Sequence, residues 1–583
     1  MEFLLKKTQT LINSLIVVTL LSIITLIIPK YQSPIYGITD PRIVSNNKFG
    51  IHVISASENE ASDAANLVNS TGGDWGYITF LIESKDRDVN KWQQFFDQLR
   101  ERHLIPIVRL TTKPINSHWE KPYEKEYEAW ADFLNNLNWP IKNRYIIIYN
   151  EPNHSKEWGN QIDPVSYAQV LNNTIEALKA KSPDFFVMNA GFDASAPQEP
   201  PNFYDEERFL IEMNRTVPGI FNKLDGWVSH SYPNPGFIGS PNAQGRGTVR
   251  TFEWELQVLR QLGVRKNLPV FITETGWRHS EGASQNLSLP SPETVAEYFK
   301  TAFSSAWSSN QIVAVTPFLL NYQSSPFDHF SFKKLGSDEY HPHFLTLQQI
   351  NKNTGSPVQV NKADLITGEI YASLVAGESY KISLTFKNTG QSIWGDPSTS
   401  SRQVKLVPKT GGLQLGIVPI SLPAGVRIRP GQDYTFEFNI KAPQGGVFQT
   451  ELNLLIDNKE FNNKGFKFIT EVKSPVILKI KAALRWKEIF EGKYLLSVIG
   501  PINHTAEVVD LDKTGQSREV ETRYLLPGYS FDFTLQKPLY QPKIINQKVE
   551  SGVNTLDFGV LNPDFMQVII NPRGFWDLLP FSN

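Results

Sequence analysis

The chain has 583 residues, with 57 Lys and Arg against 59 Asp and Glu, a formal net charge of −2 and no cysteine. Its length predicts more than one domain. The balanced charge argues against a nucleic-acid footprint, which needs a basic patch or stripe, and the missing cysteines exclude disulfides, thiolate metal sites and cysteine nucleophiles.

At the N-terminus, Lys6 and Lys7 precede LINSLIVVTLLSIITLII, residues 11–28, a run of 18 residues without a charge. That length reaches the threshold for a membrane-spanning helix. A signal peptide is the other reading, but its apolar region is usually shorter and ends in a small-residue cleavage site, and no such site is seen. Residues 1–30 are therefore read as an uncleaved transmembrane anchor and 31–46 as a tether. Basic residues stay on the cytoplasmic side, so the bulk of the chain is expected to be extracytoplasmic, or secreted if the segment is cleaved.

A regular alternation follows. Candidate strands are KFGIHVI (48–54), WGYITFLI (75–82), LIPIVRL (104–110), RYIIIY (144–149), FFVMNAG (185–191), LDGWVSH (224–230), PVFITE (269–274) and IVAVTPFLL (312–320). Short continuous apolar runs of this kind read as strands buried on both faces. Helical patterns lie between them. In DVNKWQQFFDQLRERH (88–103), Trp92, Phe95, Phe96 and Leu99 recur at helical spacing. Eight such alternations predict an α/β fold, a (β/α)8 TIM barrel over residues 47–352. A doubly wound open sheet is the competing arrangement. No Gly-rich phosphate loop follows the first strand, which argues against a nucleotide-binding version.

Beyond residue 355 the helices stop. Residues 356–475 read as short strands with turn signals, a β-sandwich pattern. Residues 476–583 form a third region, also strand-rich. Two smaller all-β domains are thus expected after the barrel. The stretch KNTGQSIWGD (387–396) resembles the start of immunoglobulin-like accessory domains in bacterial surface proteins. That resemblance implies a core position for Trp394.

The chemistry is expected at the strand ends. YIIIYNEPN (145–153) runs from a buried strand straight into Asn150, Glu151 and Pro152, and the seventh strand ends on Glu274. In a barrel both glutamates sit on the C-terminal rim, where residues distant in sequence face each other. Two carboxylates flanking one bond are what glycoside hydrolysis needs. His52, ending the first strand, and Arg109, ending the third, point at the same rim. Arg109 is read either as the cation that keeps a carboxylate charged or as a structural ion pair. Trp119, Trp158 and Trp277 fall in rim loops, as sugar-stacking platforms or as loop packing. His341 and His343 form an H-x-H without an obvious third ligand, so a solvated loop is expected rather than a metal site. No G-x-S-x-G elbow follows any strand.

IYNEPN on the fourth strand, with ITETGW on the seventh, resembles the clan A retaining glycoside hydrolases, families like cellulase family 5 or xylosidase family 39. The resemblance covers roughly residues 46 to 352. It implies Glu151 as the acid/base, Glu274 as the nucleophile and Asn150 against the sugar's 2-hydroxyl. SHSY (229–232), after the sixth strand, agrees with it, implying that Tyr232 hydrogen-bonds Glu274 and that His230 lines the sugar site. The Trp that many clan members carry on the eighth strand is absent from PFLLNYQSSPFDHFSF, leaving Phe318 or Tyr322 to substitute.

The sequence therefore predicts a retaining glycoside hydrolase without a cofactor or metal. Its partners would be an extracellular oligo- or polysaccharide and, through the N-terminal helix, a membrane. The alternative is a non-catalytic carbohydrate-binding or cell-envelope surface protein on the same scaffold.

Overall fold

The structure is a computed structural model and describes residues 37–45, 47–396, 403–461, 465–500 and 504–570. Among them, no helix is long and apolar enough to cross a membrane. The apolar run 11–28 lies outside the described residues. One compact unit ends at Gln359 and a second begins at Val360.

The first unit alternates strand and helix. Its strands are β1 (Gly50–His52), β2 (Gly76–Glu83), β3 (Leu104–Thr111), β4 (Arg144–Ile148), β5 (Phe185–Met188), β6 (Trp227–His230), β7 (Val270–Glu274) and β8 (Ile312–Val315). Between and after them run α1 (Glu58–Val68), α2 (Val89–Glu101), α3 (Glu126–Asn135), α4 (Pro164–Lys181), α5 (Glu206–Thr216), α6 (Thr251–Gln261), α7 (Pro292–Ser304) and α8 (Pro342–Gln349). All strand pairings are parallel, β1 through β5 in one run and β6 through β8 in another. Parallel bridges at Met188–Gly226 and Phe49–Val315 join the two runs, so the sheet closes on itself. This is a (β/α)8 barrel.

Local sequence explains the helix starts. The side chains of Ser57, Asp88, Asp163, Asp205 and Ser291 accept from the first-turn N–H groups of α1, α2, α4, α5 and α7. Such caps satisfy donors that have no partner inside the helix. In α2 the buried face is Trp92, Phe95, Phe96, Leu99 and Arg100. The strands alternate as a pleat requires. Tyr77, Ile107, Tyr145, Ile147, Val228 and Phe271 fill the barrel interior, while Ile78, Val108, Ile146 and Ile148 pack beneath the helices. The eighth strand stops at Val315 rather than reaching residue 320. Pro317 lacks an N–H for the ladder, and the chain instead bonds outward, Phe318 N–H to Thr275 O and Leu320 N–H to His52 O.

The second unit contains two β structures with separate cores. In the first, the antiparallel strands Ala363–Thr367, Ser379–Asn388 and Asp433–Lys441 form one sheet. Val404–Thr410, Gly446–Ile456 and Phe466–Lys473 belong to the other, and both sheets share a core that includes the fully buried Trp394. In the second, Val476–Leu484 pairs in parallel with Gly552–Leu561, and Gly492–Ile499 lies between His504–Leu511 and Ser530–Gln536. Leu478, Leu496, Phe533 and Phe558 are in its core.

Candidate active site

Arg109 and His230 continue the inward-facing parity of Ile107 and Val228, so the pleat turns both side chains toward the barrel axis just below its C-terminal mouth. Glu151 follows β4 after an abrupt turn. Tyr149 and Glu151 both have positive φ, +69° and +29°, a backbone region L-residues rarely occupy. The Glu151 N–H donates to Gly191 O, and the His154 N–H donates back to Glu151 O. Gly191 is required here, because any Cβ would overlap the His230 ring.

The two glutamates meet across the mouth. An oxygen of Glu151, an oxygen of Glu274 and a ring nitrogen of His230 all lie within 4.8 Å of one another. Their surroundings differ. Glu274 is buried; Arg109 Nη1 donates to its Oε1 and Tyr232 Oη donates to its Oε2 at 3.1 Å. Burial alone would push the Glu274 carboxyl up, but the charges of His230 and Arg109 outweigh it and bring the group down to about 2. Glu151 is more open: His230 Nδ1 lies 2.8 Å from its Oε1 and His154 Nδ1 lies 3.9 Å from its Oε2. Burial disfavours the charged His230, yet Glu274 and Glu151 together raise its pKa.

A cavity of about 680 Å³ opens above the pair. Arg109, Asn150 and Tyr232 line it with the two glutamates. Asn150 is held at both ends: its Oδ1 accepts from Arg109 at 2.8 Å, and its Nδ2 donates to Glu157 Oε2 at 3.3 Å. Trp119 reaches the cavity from a short hairpin that pairs Pro114–Ile115 with His118–Trp119. Phe318 and Tyr322 also line it.

Several expectations need correction. His52 and His230 do not line the cavity; both are buried beneath the carboxylates, with His52 Nδ1 3.8 Å from Glu274 Oε1. Burial, first, and Arg109, second, lower the His52 pKa to about 3, so it stands as a neutral ring. Trp158 and Trp277 are not stacking platforms. They are 1% and 2% exposed, because tight loops turn them back under the helices. Trp158 packs against Tyr149 and Tyr167, and Trp277 packs on Phe299 and donates Nε1–H to Gly239 O at 2.7 Å. His341 and His343 are not solvated either. Both are buried, stacked near His279, whose ring centroid is 4.3 Å from that of His341.

Three further side chains belong to the site. Glu157 lies in the short 3-10 turn Ser155–Glu157, which folds the chain back over the mouth. Burial, then the Glu151 charge, push it up to about 7. His154 Nε2 pairs with Asp193 Oδ2 at 2.9 Å, and Asp193 follows β5. Burial opposes the charged His154, but Asp193 and Glu151 raise its pKa overall. Nothing in the local sequence marked these three, since each is brought in by a loop.

Among the described residues, Glu151, His230 and Glu274 are the only His and carboxylate set close enough to share one metal ion. Arg109 and Tyr232 already occupy both Glu274 oxygens, so the carboxylate is compensated without an ion.

No family model matches the chain, and no curated protein matches it in sequence. Solved structures similar to it include a family 39 glycoside hydrolase from the gut symbiont Bacteroides cellulosilyticus WH2. It is 15% identical with a TM-score of 0.37, over 70% of this chain and 82% of that one. A family 30 subfamily 8 xylanase from Clostridium acetobutylicum is 13% identical with a TM-score of 0.33, over 68% and 97%. A β-mannanase from Thermomonospora fusca is 11% identical with a TM-score of 0.32, over 51% and 85%. Likeness at this level carries no weight for what the chain does, which rests on its own residues.

Proposed function

We propose that the chain is a retaining glycoside hydrolase acting on a β-linked oligo- or polysaccharide. One observation carries the reading: carboxylate oxygens of Glu151 and Glu274 approach within 4.8 Å at the barrel mouth, in unlike surroundings. Retaining enzymes hold their carboxyl groups about 5 to 5.5 Å apart, whereas inverting ones leave about 6.5 Å or more for a water.

In this reading Glu274 is the nucleophile. It is ionised, and its two oxygens are aimed by Arg109 and Tyr232. It attacks the anomeric carbon as Glu151 gives its proton to the departing glycosidic oxygen. The C–O bond breaks and a glycosyl-enzyme forms with inverted configuration. Glu151, now a carboxylate, takes a proton from water; that water displaces Glu274 and restores the original configuration. His230, in contact with Glu151 and 3.9 Å from Glu274, positions the acid/base. We further propose export on the N-terminal apolar segment, which would bring the barrel to a glycan outside the cytoplasm.

Trapping with 2-deoxy-2-fluoro glycosides and peptide mapping tests the assignment. A glycosyl adduct on Glu274 is expected. An adduct on another residue, or binding without turnover across a broad aryl-glycoside panel, would overturn it in favour of a carbohydrate-binding surface protein.

A further inference from the structure

The ionisable side chains around the cavity have partners, with one exception. Glu274 is paired with Arg109, and Glu151 with His230 at 2.8 Å. Asp193 is paired with His154 at 2.9 Å, and Glu83 with Lys85 at 2.9 Å. Glu157 has no cation, but burial moves it toward its neutral form. Arg278 differs. It lines the cavity four residues past Glu274, yet its guanidinium makes no hydrogen bond or ion pair with any described residue. Its Nε is buried without a partner. Only its backbone is tied down, the N–H donating to Phe237 O at 3.1 Å.

A guanidinium stays charged and offers a planar fork of donors that fits a carboxylate or sulfate. Leaving a buried donor unpaired costs stability unless a partner arrives. The wall beside it is apolar: Phe237 packs edge-on against Phe330, centroids 5.3 Å apart, and both line the cavity. Such a wall lowers the local dielectric and strengthens a charge pair formed against it.

We propose that Arg278 recognises an anionic substituent, a carboxylate or a sulfate ester, on a sugar unit of the glycan, so that the substrate class is an acidic polysaccharide. This rests on the glycosidase reading for the substrate being a glycan. The acidic group is taken toward the loop after β7, where Arg278 lines the cavity.

The test uses the full chain and its Arg278→Gln and Arg278→Lys variants. Binding is measured by affinity electrophoresis and calorimetry with glucuronoxylan, hyaluronan and chondroitin sulfate. Each is compared with its carboxyl-reduced form, and the last also with its desulfated form. Reducing-end release is followed in parallel. At least one acidic glycan should bind wild type about tenfold or more tightly than its neutralised form, consistent with the 1.5–3 kcal/mol typical of a charge-assisted hydrogen bond. That ratio should fall toward one in Arg278→Gln and partly recover in Arg278→Lys. Whichever treatment removes the preference, carboxyl reduction or desulfation, identifies the anion. Because the side chain has no protein partner, the variants should melt with the wild type. Equal or tighter binding of every neutralised glycan, or a preference that survives in Arg278→Gln, overturns the proposal. A charge preference without release from any glycan would uphold Arg278 while sinking the hydrolase reading. Release without charge preference would do the reverse.

Discussion

Arg109 and Glu274 lie 165 residues apart in the chain, on strands three and seven, yet the guanidinium donates directly to the carboxylate beneath the barrel mouth. Together with Tyr232 on the other oxygen, the pair leaves Glu274 charged despite its burial. Replacing Arg109 with Met removes one of the charges that hold the Glu274 pKa near 2. The group should then titrate at higher pH. The acid limb of kcat/KM is expected to move upward, with turnover at its optimum reduced about 10²- to 10³-fold, the range seen when a preorganised donor is removed. A pH–rate profile on an activated aryl β-glycoside checks this. An unmoved acid limb would mean that Arg109 is a structural tie alone.

Tyr232→Phe keeps the ring, which packs against Phe237, and removes only the 3.1 Å bond to Glu274 Oε2. A hydrogen bond to a charged group is typically worth about 1.5–3 kcal/mol. The expected result is a loss of roughly 10- to 100-fold, mainly in kcat, with KM little changed. A change confined to KM would place Tyr232 in substrate binding instead.

Asp193→Asn should act on His154. Asp193 supplies the hydrogen bond and part of the charge that raise the His154 pKa against burial. Without them the imidazole should lose its proton at lower pH. Titration of the histidine ring nitrogens by NMR, assigned with His154→Gln, reads this directly. An unchanged His154 midpoint would show that Glu151 alone sustains the charge.

The buried, neighbouring rings of His279 and His341 should make the barrel acid-sensitive. Burial, followed by His341, lowers the His279 pKa to about 4; burial, followed by Lys334, does the same for His341. Both values lie below the 6.5 of a free imidazole, so the neutral rings contribute their full stability above pH 6.5. That contribution is lost as pH falls through the folded values near 4. The loss should be on the order of a few kcal/mol for the pair. Urea midpoints measured from pH 7.5 to 4 should fall most steeply below pH 6.5, and His341→Leu should flatten the slope. A flat profile in the wild type would contradict the buried neutral state.

The barrel was legible because parallel strands are covered on both faces, so β2, β3, β4 and β7 read as nearly unbroken apolar runs. Glu151 and Glu274 stood out for the same reason, as carboxylates ending such runs. Side chains in loops were not legible. Trp158 and Trp277 sit close in sequence to the two glutamates, yet backbone turns carry them under the helix layer. Glu157 looks like an ordinary polar loop residue until the turn at Ser155–Glu157 carries it back over the mouth. His341 and His343 have no obvious third ligand in the sequence, so they read as a solvated loop. Their partner His279 comes from the loop after β7, a proximity no local pattern encodes.

With Trp158 and Trp277 sealed away, Trp119 is the lone indole among the described residues that faces the cavity. Its hairpin is anchored at the far end, where Gly159 N–H donates to Trp119 O at 2.8 Å. Emission from that one ring therefore becomes an intrinsic optical gauge of occupancy. A ligand entering the mouth should quench or shift a small fraction of the fluorescence, while the indoles away from the cavity supply the background against which it can be read.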